Sequence, residues 1–572
     1  MTEPDPSRRR VRIDLAAGDH ARELAEDPVF VAAWDALADR CPWATVAQGS
    51  AFVRTWYRVY AAEFEPVVVR GLAEDGRLLG LLPLARRPGS RTLICAGDHH
   101  CEYQAWIADP DDGESFIVEA LDVLASAYPS GRLRFLFLAA GTPVGVVQAS
   151  RWGRRSELRP LRRPLMAVGP GTEAAEGMKG KNRVRKLRAL ERVGEVRLEQ
   201  LETRAELEAA MRPIEAFTDL RQAVINGATP FRSDPLKEEL YLALMEAPGV
   251  LHATVLRVGK EIAATNLGLA NRRSVTIGLI THSPFLARHS PGAVLIPMLG
   301  MRLGEQGYDA LDLTPGGGYK ERFATHHDTV HVLDVFFSRG RWVRRVAVQG
   351  VARLAKRVLR RAGLDPAATA ETVASVARQA RAPGALIRAA GRRLSDRSQA
   401  RVYALDAAAA GPLQGADVCL RDHLPDLFAD GPGSQAERLR AALRRLEDGQ
   451  HVYTRVDGGR LGHCGWLAPR AARIVLGAEQ HLDLPQNAAL LEETLAGEDP
   501  VVREGSLRQR TRDAMRVPGT DWVFLVAPAQ DTTLHRLAEG MGFTHHASFF
   551  TETRLGKTRR WIEPEKESAS YL

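Results

Sequence analysis

The residues whose types and spacing can do chemistry lie between His282 and Phe323. Arg288-His289-Ser290-Pro291-Gly292 leads into Ala293, Val294 and a helical pattern that runs to Gln306, with Leu295, Met298, Leu299, Met301 and Leu303 mostly on one side. A helix start leaves backbone N–H groups unpaired and carries partial positive charge, so a chain entering through Ser-Pro-Gly can hold a pyrophosphate with little side-chain help. Gly292 lets the backbone approach the phosphate, and Ser290 adds a hydroxyl. The same tripeptide also opens helices simply as a cap, so both readings stay open at this point. Downstream come a short strand, Ala310-Leu311-Asp312-Leu313-Thr314, a Pro315–Gly318 turn, and Tyr319-Lys320-Glu321-Arg322-Phe323.

These residues need a scaffold, and the sequence supplies one pattern three times: apolar strand, glycine turn, apolar strand. The copies run from Val67 to Leu82 around Gly76, from Leu251 to Leu269 around Gly259, and from His451 to Leu467 around Gly458 and Gly459. Their spacing is that of whole domains, which excludes a solenoid of short repeats. The middle copy continues with a third apolar run, Ser274–Thr281, then the helix and short strand described above. At 572 residues the chain is too long for one core and suits several α/β units.

With 45% hydrophobic and 26% charged residues, the composition is that of a folded globular protein. The net charge of +8 is local, concentrated in Lys179–Arg192 and Arg339–Arg361. Cys41, Cys95, Cys101, Cys419 and Cys464 form no CxxC pair and suit reduced thiols. No apolar leader or membrane-length run is present, so a cytoplasmic location is expected. Asp98-His99-His100-Cys101-Glu102 reads as a loop and not a metal site, because adjacent ligands rarely converge on one ion and no partner set is visible.

The run His282–Leu295, followed by Tyr308-Asp309-Ala310-Leu311-Asp312-Leu313, Gly318-Tyr319-Lys320 and Arg322-Phe323, resembles the GNAT domain of the CelD type, found in cellulose and polysaccharide biosynthesis proteins. The basic helix beginning at Lys179 resembles the arginine-rich helix that opens that domain. The chain departs from the family pattern at Thr281-His282-Ser283, where Tyr-Asp is usual, and at Gly316–Gly318, where an acidic residue is usual.

The resemblance implies an α/β fold of tandem GNAT-like domains in a FemAB-like arrangement, each a mixed, largely antiparallel sheet flanked by helices. Residues 1–165 form the N-terminal GNAT-like domain, 166–338 the CelD-type domain, 339–400 a basic helical linker and 401–572 a C-terminal GNAT-like domain.

It further implies transfer of an acyl group, acetyl above all, from acyl-CoA to a small-molecule amine such as a sugar or amino-acid derivative, without a metal. Arg288, Ser290, Gly292, Ala293 and Val294 would contact the cofactor, and Lys320 and Arg322 the substrate. His282 or Asp312 would serve as general base and Tyr319 as acid. The alternatives are a surface-loop His282, an Asp312 that caps or pairs with Lys320 or Arg322, and a core Tyr319. Two rival functions stand beside this one: a FemAB-like transferase using aminoacyl-tRNA, and a non-catalytic scaffold of decayed GNAT domains.

Arg503-Glu504-Gly505-Ser506 stands where such domains place their phosphate loop but lacks the usual glycine pair, so a degenerate second GNAT domain is expected there over an independent active site. The Arg339–Arg361 helix either packs with a solvated basic face or docks on anionic lipid. The Lys179–Arg192 cluster either faces solvent or meets phosphates of CoA or RNA; no zinc-finger spacing or aromatic RNA-binding signature supports nucleic acid, and no DNA partner is expected.

Overall fold

In the computed structural model, which describes residues 11–111, 113–172, 180–347, 395–411, 413–475, 481–497, 499–554 and 557–564, the chain separates into two compact units. The first comprises Met1–Asp219, Thr229–Ser283 and His289–Leu354; the second comprises Leu220–Ala228, Pro284–Arg288 and Ala355–Leu572.

The first unit has two sheets. The larger runs β1 (Arg12–Ala17), β2 (Glu65–Leu72), β3 (Leu78–Arg86), β4 (Thr92–Cys95), β6 (Arg132–Leu138), β14 (His326–Phe336), β7 (Ser156–Ala167), β13 (Ala310–Asp312) and β11 (Ser274–Thr276), with β5 (Ile107–Ala108) paired to β3. The smaller runs β12 (Leu279–His282), β10 (Glu261–Leu269), β9 (Leu251–Val258) and β8 (Val196–Leu201). Strands from both sides of residue 165 share the larger sheet, since β7 contains that position and pairs with both β14 and β13.

The helices are α1 (Asp19–Glu26), α2 (Pro28–Arg40), α3 (Ser50–Val59), α4 (Phe116–Ala127), α5 (Val144–Ala149), α6 (Lys181–Glu191), α7 (Arg204–Asn226), α8 (Lys237–Met245) and α9 (Gly292–Glu305). Strand alternation sends side chains to opposite faces, and two cores result. Trp34, Phe52 and Trp56 cover Val68 and Leu81 on one face, while Phe116, Leu121 and Leu124 cover Val67, Val69 and Leu82 on the other. Each such burial is worth about 1.5–3 kcal/mol. On the smaller sheet, Leu207, Met211, Ile214 and Leu242 pack on Ala253, Val255 and Leu267. Ile296, Leu299 and Leu303 of α9 bury Met166, Val275, Ile277 and Leu311.

The second unit is built on an eight-stranded sheet in the order β16 (Leu420–Arg421), β17 (His451–Asp457), β18 (Arg460–Ala468), β21 (Ala488–Leu495), β22 (Trp522–Pro528), β15 (Ser395–Asp406), β23 (Thr544–Arg554) and β24 (Lys557–Pro564). A small pair, β19 (Arg473–Val475) and β20 (His481–Asp483), and helices α10 (Gln435–Glu447), α11 (Pro500–Met515) and α12 (Thr532–Gly540) complete it.

The expected α/β class, with mixed and mostly antiparallel sheets flanked by helices, is what the chain adopts, and all three hairpins form. Two expectations change. Ser274–Thr281 is not one strand but two, in different sheets. Arg503–Ser506 is not a loop; it lies inside α11, where Ser506 is buried against His463.

Residues 339–347 are helical; the remainder of the expected basic helix to Arg361, the alanine-rich stretch 367–393 and Lys179 lie outside the described residues. All five cysteines are buried and unpaired. No helix among the described residues is long and apolar enough to cross a membrane.

Candidate active site

The site begins where the chain changes sheets. β11 runs parallel to β13 as far as Thr276 opposite Asp312, and the Ile277 N–H then donates to the Asp312 carbonyl at 2.7 Å. Beyond that point the two chains part. Leu279–His282 pairs with β10, while the chain after Asp312 turns through Thr314 at φ 57°. Ile277 and Ile280, three positions apart, both join the apolar cluster beneath α9, so the strand alternation is broken between them. Gly278 sits in the break. A Cβ there would lie 2.3 Å from the Leu267 carbonyl oxygen and 3.1 Å from Glu102 Oε1, so a larger residue would collide with backbone and crowd the carboxyl.

Glu102 is thus the acid at the fork. Thr276 Oγ1 donates to its Oε2 at 3.4 Å. Its side chain keeps partial access to solvent, yet protein surrounds the carboxyl. Burial, with help from the Asp312 charge and opposed by Lys320 and Thr276, pushes its pKa up to about 7. A carboxyl at that value takes and releases protons at neutral pH, as a general base must. Sequence reasoning missed it; the only signal was a dense run of polar groups at 98–102 between apolar strands.

Asp312, expected as a base, is 1% exposed. Its Oδ1 accepts from Tyr103 Oη at 2.9 Å and the Thr314 N–H at 2.8 Å, and its Oδ2 from Arg163 Nη1 at 3.1 Å. Burial raises its pKa against the pull of Arg163. Its partners are Arg163 and Tyr103, not Lys320 or Arg322, and with three donors it acts as an anchor for the fork. Arg163 is also held by Asp328.

Lys320 points into the same place. Its Nζ donates to Thr314 Oγ1 at 2.6 Å and to the Thr314 carbonyl at 3.4 Å, and Thr314 Oγ1 lies 3.5 Å from the Ile277 carbonyl. Burial lowers its pKa, with Glu102 and Asp312 pulling the other way. Tyr319, at 41% exposure, and Arg322, whose Nε donates to the Tyr319 carbonyl, are on the surface beside it.

The loop carrying Glu102 is clamped from behind. Trp56 Nε1 donates to His100 Nδ1 at 3.1 Å, which fixes the neutral tautomer and leaves His100 Nε2–H to donate to Asp234 at 2.8 Å. The Tyr60 hydroxyl donates to the same Asp234 oxygen at 2.8 Å. His99, His100 and Asp234 bring donor atoms within 4.8 Å of one another. Asp234 is thus a third donor that the sequence did not reveal, but both His100 nitrogens are occupied by this hydrogen-bond network.

At the start of α9, Pro291 offers no side-chain cap and Ser290 sits at φ 55°. The N–H groups of Ala293 and Val294, expected to be open to an anion, donate to the Ser290 and Pro291 carbonyls. The turn therefore presents the Gly292 N–H and the Ser290 hydroxyl. A Cβ on Gly292 would lie 3.7 Å from His282 Nδ1, which places His282 at the helix start and not at the fork. Gly292, Ser290 and His282 thus lie together at the head of α9. Arg288 belongs to a segment grouped with the second unit.

The second unit has a corresponding fork. β21 and β22 run parallel over Ala488–Leu491 and Trp522–Leu525, then separate. Glu493, just past that point, accepts from Arg510 at 2.7 Å and Arg503 at 2.9 Å, and Arg503 also binds Asp531 at 2.6 Å. Arg510 is fully buried. Burial and Arg510 push His463 beside them down to about 4. The helix that follows is closed too, because the Asp499 side chain accepts from the Val501 N–H at 2.8 Å.

Residues 179–323 match the model of the acetyltransferase (GNAT) domain. No curated protein matches the chain. Among solved structures, FemX is 10% identical over 53% of this chain and 95% of its own, with a TM-score of 0.40. L-PGS from Bacillus licheniformis is 11% identical over 54% and 92%, at 0.35. A tandem GNAT protein from the clavulanic acid biosynthesis pathway is 12% identical over 57% and 98%, at 0.33.

Proposed function

We propose that the first unit is an acyltransferase that moves an acyl group, acetyl in the simplest case, from acyl-CoA to an amine. The observation that carries this reading is Glu102, a carboxyl titrating near neutrality, set beside Gly278 at the fork between β12 and the chain leaving β13. The match of residues 179–323 to an acetyltransferase domain supports it.

In this reading Glu102 takes the base role in place of His282 or Asp312, and the attacking amine loses its proton to it. Ser290, Gly292 and His282 receive the diphosphate at the head of α9. Tyr319, a phenol and so protonated at neutral pH, returns a proton to the leaving thiolate. Asp312 and Arg163 hold the fork rigid, and positioning of this kind is a large part of catalysis by such sites. A place in polysaccharide or cell-envelope metabolism, and a cytoplasmic location, belong to the same proposal through the CelD-type resemblance.

A second reading, aminoacyl-tRNA as donor, draws on α6. Lys181, Arg185 and Arg188 are exposed on it, and with Val184 and Arg192 they line a groove of about 330 Å³ on a helix that packs against α9. Calorimetry with acetyl-CoA and with an aminoacyl-tRNA analogue separates the two; binding of neither favours a scaffold. Gly292→Asp should weaken acetyl-CoA binding by about a hundredfold, since it sets a carboxylate where the diphosphate belongs, while the unfolding midpoint holds.

A further inference from the structure

Lys320 and Glu102 carry opposite charges that act on each other at the fork, with no ion pair between them among the described residues. Among the described residues the Lys320 ammonium donates to two oxygens of Thr314, and the third of its N–H groups has no acceptor there. The obvious anion, Asp312, is already taken by Arg163, Tyr103 and the Thr314 N–H. Glu102 has the Thr276 hydroxyl at 3.4 Å and its own backbone N–H, and among the described residues no basic side chain pairs with it.

A second cation stands nearby on α8. Lys237, 8% exposed, forms no ion pair among the described residues and lies 5.9 Å from the centre of the Phe231 ring, and its charge is felt at Asp234 and Glu102. Buried charges of this kind are normally paired, because taking them out of water is costly. Here the pairing is incomplete on both sides, and a ligand that carries both signs would complete it.

We infer that the acceptor is an amino-carboxylate, its amine set against Glu102 and its carboxylate against the Lys320 ammonium. This rests on the acyl transfer proposed above and selects amino acids over amino sugars as the substrate class. In the step itself the amine nitrogen attacks the thioester carbonyl. The C–N bond forms, the C–S bond breaks, one amine proton passes to Glu102, and the thiolate takes up a proton to leave as free thiol. The carboxylate is a spectator that fixes the orientation of the amine.

The test uses the full-length chain, acetyl-CoA as donor and matched acceptor pairs: alanine with ethylamine, phenylalanine with phenethylamine, lysine with cadaverine, and glucosamine as the sugar amine. Release of free thiol is the readout. The carboxylated member of at least one pair should be favoured about tenfold or more in kcat/KM, the scale of a charge-assisted hydrogen bond. Lys320→Gln should collapse that ratio towards one, mainly through KM, and Lys320→Arg should restore part of it. Equal use of both members of every pair, preference for glucosamine, no acceptance of any carboxylated amine, or a ratio unchanged in Lys320→Gln would each overturn the inference. If acetyl-CoA binds and amines are acylated without regard to a carboxylate, only this inference fails. If acetyl-CoA does not bind, the acyl-transfer reading fails with it.

Discussion

Both units contain two parallel strands that part after a few residues, β11 and β13 in the first, β21 and β22 in the second, and each pair is joined through a helix. The backbone problem is the same, for parting strands strip partners from each other and open a wedge. The side chains solve it differently. In the second unit Glu493 is clasped by two arginines, Arg503 reaches on to Asp531, and Asp499 caps the following helix, so the charges there are balanced within the protein. In the first, Asp312 is satisfied but Glu102 and Lys320 are not, and α9 begins without a side-chain cap. A fork sealed by its own ion network is a structural joint. One that leaves opposite charges apart is where the proposed acceptor would bind.

The comparison breaks most directly at its acid. Glu102→Gln should lower kcat by about 10²–10⁴-fold, the usual contribution of a general base, while calorimetric affinity for acetyl-CoA holds. A comparable loss of binding would assign Glu102 to substrate positioning. In the unaltered protein kcat/KM should rise with pH through about 7 and level off, because the base works only when ionised, and burial above all, with Asp312 and Lys320, sets where that happens.

The sealed fork is tested from the other side. Arg510→Met leaves the buried Glu493 with one partner fewer, and should destabilise the second unit by about 3–5 kcal/mol in urea unfolding without altering the pH profile of transfer. An unchanged midpoint would mean that the network contributes little.

A smaller effect follows from linkage at Glu102. Its folded pKa is raised above the unfolded value, so the fold binds the proton more tightly than the unfolded chain. Stability is therefore highest below the unfolded pKa and declines as pH rises towards 7. Glu102→Gln should remove that decline and be more stable at pH 8 by about 1–2 kcal/mol, allowing for the solvent that still reaches the carboxyl. Thermal unfolding at pH 5 and pH 8 measures it. The smallest expected change is Asp499→Ala, which removes the cap of α11 and should cost about 1 kcal/mol; a gain of acetyl-CoA binding there would show that the cap alone closes the second fork.

Much of the scaffold was legible in the sequence because it is local. Glycine turns between apolar runs fix the hairpins, and Pro291-Gly292 with a periodic apolar stripe fixes α9 to within a residue. The fork was half legible. Ser274–Thr281 reads as one strand, since apolar character does not reveal that a strand changes partners midway, and only the steric needs of Gly278 mark the break.

The sequence alone therefore determined the α/β units, the start of α9 and the short strand that carries Asp312 ahead of Lys320, all set by interactions among near neighbours. Only the tertiary structure brought Glu102 to Thr276 and Gly278, Tyr103 and Arg163 to Asp312, and Asp234 to His100. Each of those contacts joins residues more than a hundred positions apart. Whether a buried carboxyl is held by three donors, like Asp312, or by a hydroxyl and its own backbone, like Glu102, depends on what the fold delivers to it, and that is written in no local pattern.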